Sequence, residues 1–179
     1  MTRTRATLAL AASLLALPAQ AQEVTIAPGA FAGFNGISAE CIIHTPDKFA
    51  DGACAALFKA AAAGAQKAGI SLAQAGTANW EDVPVKDRKH LDPPAGGPAQ
   101  PVRLTFFIRG AQSDRITGGF VRAVMWTPAT AEGRPGKLVL WEAATLGTGP
   151  RKGLRAAVVK SIAEKLETPF AALKADNKP

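Results

Sequence analysis

Three short apolar-rich runs in the second half of the chain, the first of which alternates with polar residues, predict three consecutive strands. The clearest run covers residues 102–109, in which every second side chain is apolar. Two further apolar-rich runs cover residues 120–127 and 137–144, and Gly and Pro are frequent in the links between the runs. These links are too short for parallel crossovers, so the three strands are predicted to form an antiparallel meander.

A four-residue apolar spacing after the meander predicts a long C-terminal helix. Leu154, Val158, Ile162 and Leu166 recur at this spacing, with charged residues off the stripe. The pair Thr168-Pro169 is predicted to begin a separate, final helical turn.

An earlier helix is predicted from its capping residues. Thr45 fits an N-cap, Pro46 fits the first helical position, and Gly69 fits a C-terminal stop. Asp51-Gly52 is expected to interrupt the regular pattern.

Brief apolar runs at residues 24–26, 41–43 and 70–73 predict additional short strands, the first followed by an irregular loop. Residues 76–101 have little periodicity and end in a Pro- and Gly-rich stretch, which predicts a long loop. The order of elements predicts a two-layer α+β domain. Its sheet is expected to be mostly antiparallel, with about four strands and two main helices packed on one face. The segment before the first helix is expected to cover an edge or an end of that sheet.

The first 21 residues resemble a secretory leader rather than part of the fold. Arg3 and Arg5 precede the apolar residues 6–17, and Ala19-Gln20-Ala21 fits a cleavage site. The apolar run is shorter than the ~20 residues that span a membrane, and no later run is long enough. We therefore expect cleavage near Ala21 and a soluble periplasmic or secreted protein formed by a single domain over residues 22–179.

Composition narrows the class of protein further. The chain has 179 residues, of which 47% are hydrophobic, and a formal net charge of +7. The apolar content excludes a disordered chain, and the length suits one domain. The positive charge is compatible with an anionic partner, whereas the predicted export disfavours nucleic acid.

Export also determines how the two cysteines are interpreted. Cys41 and Cys54 would occupy an oxidising compartment, where a disulfide is favoured over a free thiol. Their spacing matches no zinc motif, and only two histidines, His44 and His90, could complete a metal site. The sequence therefore predicts a structural disulfide and no metal site.

The meander predicts a sheet face that mixes aromatic and cationic side chains. If the second hairpin is symmetric about Gly133-Arg134, Trp126 lies opposite Trp141. The candidate binding face then comprises six residues: Arg103, Phe107, Arg109, Arg122, Trp126 and Trp141. Three interpretations stay open: a binding surface, a small second core covered by the N-terminal segment or the long loop, and a homodimer interface. A bulge in the hairpin would change the register and invalidate the arrangement.

The link between the third meander strand and the last helix is a candidate anion site. Its residues are Gly147, Gly149, Arg151 and Lys152. Backbone N–H groups and two cations at a helix N-terminus favour anions, but the spacing matches no known phosphate-binding loop. A turn made of small residues is the competing interpretation.

No catalytic motif distinguishes an enzyme, and no cofactor is predicted. His44 is interpreted as a partly buried structural residue and His90 as a solvated loop residue. The leading hypothesis is a non-catalytic exported protein that binds a partner protein or an anionic component of the cell envelope. The alternative is a small envelope hydrolase that uses His90 or His44 as its general base.

Overall fold

A computed structural model of the protein describes residues 26–45, 49–50, 52–112, 117–149 and 151–178. Of these, residues 111, 112, 117, 151 and 152 are described for their backbone only. The elements are β1 (Gly36–Thr45), α1 (Ala53–Ala68), β2 (Leu72–Asn79), β3 (Pro101–Gln112), β4 (Thr117–Ala131), β5 (Arg134–Gly149) and α2 (Arg151–Asp176), with a short 3-10 turn at Val85–Asp87. The predicted leader and the first predicted strand, apart from Ile26, lie outside the described residues.

The described strands form one five-stranded sheet in the order β2-β1-β3-β4-β5, with both helices on one face. The predicted α+β class and the β3–β4–β5 meander are confirmed. The sheet is mixed rather than mostly antiparallel, because β1 pairs in parallel with both β2 and β3. Strand β1 therefore lies inside the sheet, so the expectation that the segment before the first helix only covers an edge is wrong.

Helix α1 begins later than its predicted capping residues. Thr45 is the last residue of β1, and the helix starts at Ala53 after Gly52, which has a left-handed φ of 70°. The predicted start at Thr45 is therefore wrong, and Gly52 precedes the helix rather than interrupting it. Pro46 and Asp51 lie outside the described residues. Gly69 ends α1 as predicted, with a φ of 73° and its N–H directed to the carbonyls of the last turn.

The predicted disulfide between Cys41 and Cys54 is present. It joins the middle of the sheet to the first turn of α1, and both cysteines are buried. The bond therefore fixes where the helix layer begins on the sheet.

Helix α2 is continuous through Pro169, so the predicted separate turn after Thr168 is wrong. A proline inside a helix removes one backbone hydrogen bond. Here the apolar stripe continues past it, because Phe170 and Leu173 are each only 2% exposed and pack in the core. Of the helices in the described ranges, none combines the length and the apolar character needed to cross a membrane.

The turn of the β4–β5 hairpin is formed by Glu132 and Gly133, both with positive φ. This turn moves the predicted register by two residues, which leaves each side chain on its predicted face. A one-residue shift then occurs: Met125 pairs with Trp141, whereas Trp126 pairs with Val139. Leu140 is the extra residue of this β-bulge, and it exchanges the two faces of β5 beyond that point.

The bulge corrects the predicted composition of both sheet faces. Trp141, 4% exposed, lies in the core beneath the helices rather than opposite Trp126. The bulge does not account for Leu138, which lies on the turn side of it, paired with Thr127. Leu138 is 54% exposed, so its predicted place in the core is wrong. The predicted core residues of β3 and β4 are confirmed as buried: Leu104, Phe106, Ile108, Val121, Ala123 and Met125.

Candidate functional site

The long loop between β2 and β3 covers part of the sheet face that the helices leave free. It comprises residues 80–100, which we call the covering loop, and is shorter than predicted because residues 76–79 belong to β2. Trp80, the first residue of the loop, donates its backbone N–H to the Ile43 carbonyl of β1. Farther along, Leu91 accepts a hydrogen bond from Arg103 of β3 at 3.0 Å. The loop is thereby attached to the two central strands.

Glu40 of β1 lies beneath this loop and is only 2% exposed. One carboxylate oxygen accepts hydrogen bonds from the Thr105 hydroxyl at 2.6 Å and from Nδ1 of His90. The other oxygen accepts the Leu91 N–H at 2.8 Å. A buried carboxylate is costly unless it is paired and hydrogen-bonded, and here each oxygen has at least one donor.

His90 connects Glu40 to a surface lysine. Because a carboxylate only accepts, Nδ1 of His90 carries the hydrogen of that bond, which leaves Nε2 of the neutral ring as an acceptor. The Lys137 amine of β5 contacts Nε2 from the solvent side. On the other side of Glu40, Nε1 of Trp126 donates to the Thr105 hydroxyl at 2.8 Å. Lys137, His90, Glu40, Thr105 and Trp126 form one hydrogen-bonded chain, which we call the Glu40 network.

Cations and aromatic rings surround the Glu40 network. The Lys137 amine lies 4.6 Å, and the Arg103 guanidinium 5.1 Å, from the centre of the Trp126 ring. The His90 ring meets Trp126 at 4.7 Å and Trp80 at 5.2 Å in edge-on contacts. Such cation–ring contacts stabilise most where water is excluded, and Trp126 is only 5% exposed.

The environment of the network shifts the pKa of three titratable groups. Burial acts to raise the pKa of Glu40, but the hydrogen bonds from His90, Thr105 and Leu91 outweigh it, so this pKa lies below its ordinary value. Burial lowers the pKa of Lys137, and Arg103 lowers it further, whereas Glu40 opposes the shift.

His44, on the same sheet face, is the third shifted group. It packs against the rings of Trp80 and Phe107, each 5.7 Å away. Burial lowers the pKa of His44, and the charges of Arg109 and Arg88 lower it further. This histidine is therefore held in its neutral form near neutral pH.

The covering loop leaves the opposite end of the same face open to solvent. Arg109 is exposed there, and Leu146 is 72% exposed. Arg122 lies 5.9 Å from the centre of the Phe107 ring and donates to both oxygens of Glu142, at 2.8 and 2.5 Å. We call this region the open face; it combines half-exposed aromatic rings with arginines.

Comparison of the sequence with protein-family models and with curated proteins gives no match. The site is therefore interpreted from its own geometry. In the described part of the chain, no group of three or more His, Cys, Asp or Glu side chains is arranged to hold a metal ion.

Five of the six residues predicted to form the binding face do share that face, since paired residues of β3 and β4 lie opposite each other. Arg109 and Arg122 lie on the open face with Phe107 between them, whereas Arg103 and Trp126 lie under the covering loop. Trp141 lies on the other side of the sheet, and its assignment to the face is wrong because of the bulge. Whether the face binds a partner stays a prediction.

The candidate anion site has a structural explanation for one of its glycines. A Cβ atom on Gly147 would lie 2.7 Å from Val158 and 2.8 Å from Leu154, so the absence of a side chain lets α2 approach β5. The side chains of Arg151 and Lys152 lie outside the described part of the structure. Gly149 has a φ of 153° at the end of β5. The anion-binding role of these four residues stays a prediction.

The solvated position expected for His90 is wrong: its side chain is only 11% exposed. The partner that buries it, Glu40, was not among the predicted site residues. A glutamate between the apolar residues Ala39 and Cys41 is a signal that could have identified a buried carboxylate. The spacing of 50 residues between Glu40 and His90 left no local pattern to connect the two.

Proposed function

We propose that the protein is a non-catalytic, exported protein that binds an anionic component of the cell envelope through the sheet face opposite the helices. The observation that carries the proposal is the alignment of cations with aromatic rings on this face. On the open face Arg122 lies 5.9 Å from the centre of the Phe107 ring, and Arg109 is exposed on the adjacent strand. Under the covering loop, Arg103 and Lys137 lie within 5.1 Å of the centre of the Trp126 ring. Guanidinium groups bind carboxylates and phosphates through paired hydrogen bonds, and aromatic rings stack on sugars.

The open face is where such a ligand has access. Arg122 uses Nε and one Nη for Glu142, so its guanidinium retains further donors. Arg109 of β3 pairs with Phe120 of β4, and Arg122 of β4 pairs with Phe107 of β3. The two arginines therefore lie close together on adjacent strands. Without the predicted leader, which contains two arginines and no acidic residue, the formal charge is 19 − 14 = +5, and this supports attraction of an anion at longer range.

Binding of polygalacturonate, a polymer of sugar carboxylates, tests this proposal. We expect measurable affinity in low salt that weakens as salt is raised. The double variant Arg109→Gln/Arg122→Gln should lose most of it. The matched control Lys59→Gln/Lys174→Gln removes the same charge from exposed positions on the helices and should bind like the original protein.

Two results would overturn the proposal. Equal weakening in both double variants would show that net charge alone attracts the polymer. Absence of polygalacturonate binding, together with salt-insensitive retention of a partner protein by the open face, would favour a protein partner instead.

A second candidate function, an envelope hydrolase with His90 as general base, is favoured by the Glu40–His90 pair. A carboxylate bonded to Nδ1 orients a histidine and stabilises its protonated form during catalysis. No carboxylate is described next to His44, so of the two histidines His90 is the better candidate. Release of dye from labelled peptidoglycan that is abolished by His90→Gln and retained by His44→Gln would support this function. Equal release by both variants and the original protein would exclude it.

A further inference from the structure

We propose that Lys137 is a nucleophilic amine, with His90 as its proton acceptor, that condenses with small carbonyl compounds carrying an anionic group. The basis is the order of groups in the Glu40 network. A buried carboxylate, an imidazole and an amine follow one another from the interior of the sheet face to its surface. Lys137, at the outer end of this order, is exposed, so its amine can meet a small molecule from solvent.

The arrangement favours transfer of a proton away from Lys137. Its ammonium group points at Nε2 of His90, and a proton accepted there creates an imidazolium beside the Glu40 carboxylate. The carboxylate stabilises that charge, as an orienting acid does for the histidine of a nucleophile–base pair. The lowered pKa of Lys137 described above acts in the same direction, because the unprotonated amine is the nucleophile.

Arg103 gives the site its preference for an anionic substrate. Arg103 and Lys137 lie over the same Trp126 ring, within 5.1 Å of its centre. Arg103 forms an ion pair with Asp92, whose carboxylate is exposed and lies 3.9 Å away. An ion pair with an exposed partner of this kind is weak. A carboxylate attached to the reacting carbonyl could therefore pair with Arg103 while the carbonyl carbon faces Lys137.

The reaction balances without a cofactor. His90 takes one proton from the Lys137 ammonium, and the amine nitrogen forms a bond to the carbonyl carbon. The nitrogen of this adduct passes a proton to the former carbonyl oxygen, giving a hydroxyl group. His90 then returns its proton to that hydroxyl, the C–O bond breaks, and water leaves. The products are one water molecule and a protonated imine on Lys137.

The test is reductive labelling of the folded protein with glyoxylate and cyanoborohydride, followed by peptide mapping. Cyanoborohydride supplies the hydride that converts the imine into a stable carboxymethyl amine. At pH 7 we expect Lys137 to be labelled severalfold faster than the exposed Lys59 and Lys174, since each unit by which a lysine pKa falls increases the unprotonated fraction about tenfold. The advantage of Lys137 should shrink as the pH is raised, because a lowered pKa increases the unprotonated fraction most at lower pH.

Variants separate the roles of the neighbouring groups. His90→Gln should reduce the labelling rate of Lys137 towards that of Lys59, whereas the matched loop variant Lys89→Arg should leave it unchanged. Arg103→Gln should remove the preference for glyoxylate over acetaldehyde, which lacks a carboxylate. If His90→Gln does not fold, the pH profile and the glyoxylate preference of the original protein still decide the matter.

Labelling of Lys137 at or below the rate of Lys59 in the original protein would overturn the proposal. An unchanged rate in folded His90→Gln would overturn the role of His90 as proton acceptor. This inference does not rest on the proposed binding function. Polygalacturonate binding and glyoxylate labelling use different variants, so either can fail without the other.

Discussion

Replacing Glu40 by glutamine removes the only charge-bearing acid in the buried part of the Glu40 network while keeping the size of the side chain. The carboxylate accepts hydrogen bonds from Thr105, Leu91 and His90. In Glu40→Gln one of its two acceptor oxygens becomes an NH₂ donor that faces a donor of the protein. Hydrogen bonds to a charged group contribute ~1.5–3 kcal/mol each, so weakening two of these three bonds costs ~3–6 kcal/mol.

We therefore expect Glu40→Gln to lower the free energy of unfolding by about 3–6 kcal/mol. This is a large part of the ~5–15 kcal/mol typical of a folded domain. Urea denaturation followed by tryptophan fluorescence measures it. With a urea m-value of ~2 kcal/mol/M, the midpoint should fall by roughly 2 M.

The pH dependence gives a second, independent readout. Because the pKa of Glu40 is lowered in the folded protein, its ionised form contributes stability above the unfolded value of ~4.3. That contribution is lost as the pH falls through the folded value. The original protein should therefore lose stability steeply below about pH 4.3, and Glu40→Gln should show a shallower loss over the same interval.

Glu142→Gln provides the matched control, since it makes the same substitution on the same sheet face. Glu142 pairs with Arg122 through two hydrogen bonds, but the two side chains are 39% and 43% exposed. An exposed ion pair contributes only ~0–1 kcal/mol, so this variant should be almost as stable as the original protein. Equal effects of the two substitutions, or a loss below about 1 kcal/mol for Glu40→Gln, would refute the argument that burial makes the Glu40 network important for stability.

Two further predictions concern the contacts between the layers. Cys41→Ala/Cys54→Ala should lower the stability measured by urea denaturation by about 3 kcal/mol, because the bond closes a loop with a sequence separation of 13; an unchanged midpoint would argue against a constraining role. Gly147→Ala should lower the thermal midpoint, with a cost of ~1–3 kcal/mol, because its Cβ would lie 2.7 Å from Val158. The comparison is Gly136→Ala on the same strand, where the Cβ would meet only the Ala129 carbonyl at 3.8 Å, and equal melting of the two variants would contradict the packing argument.

The fold class could be predicted from the sequence because its signals are local. Alternation in residues 102–109, the apolar stripe of α2 and the glycine at position 69 each reflect a periodicity or backbone preference that acts within a few residues. The parallel pairing of β1 with β3 was missed because no local pattern records it. These strands are brought together across α1, β2 and the covering loop, and the pairing depends on the topology of the whole sheet.

The site was predicted only in part, because its centre depends on contacts between distant segments. Alternation along β3 and β4 correctly placed Arg103, Phe107, Arg109, Arg122 and Trp126 on one face. The covering loop has no periodicity, so nothing in its residues indicates which strand it crosses. The position of His90 against Glu40 therefore follows from the path of a loop and could not be read from spacing.

The bulge at Leu140 shows why a single extra residue matters for this site. Without it, Trp141 would lie on the same face as Trp126, since the two-residue change at the turn preserves the alternation. Two indoles would then compete for the space beneath the covering loop, and the helix side would lose a large apolar side chain that is now 4% exposed. With the bulge, Trp141 fills the main core, and Trp126 alone faces Thr105 and the two cations. The register of one hairpin thereby determines both the packing of the helix layer and the composition of the candidate site.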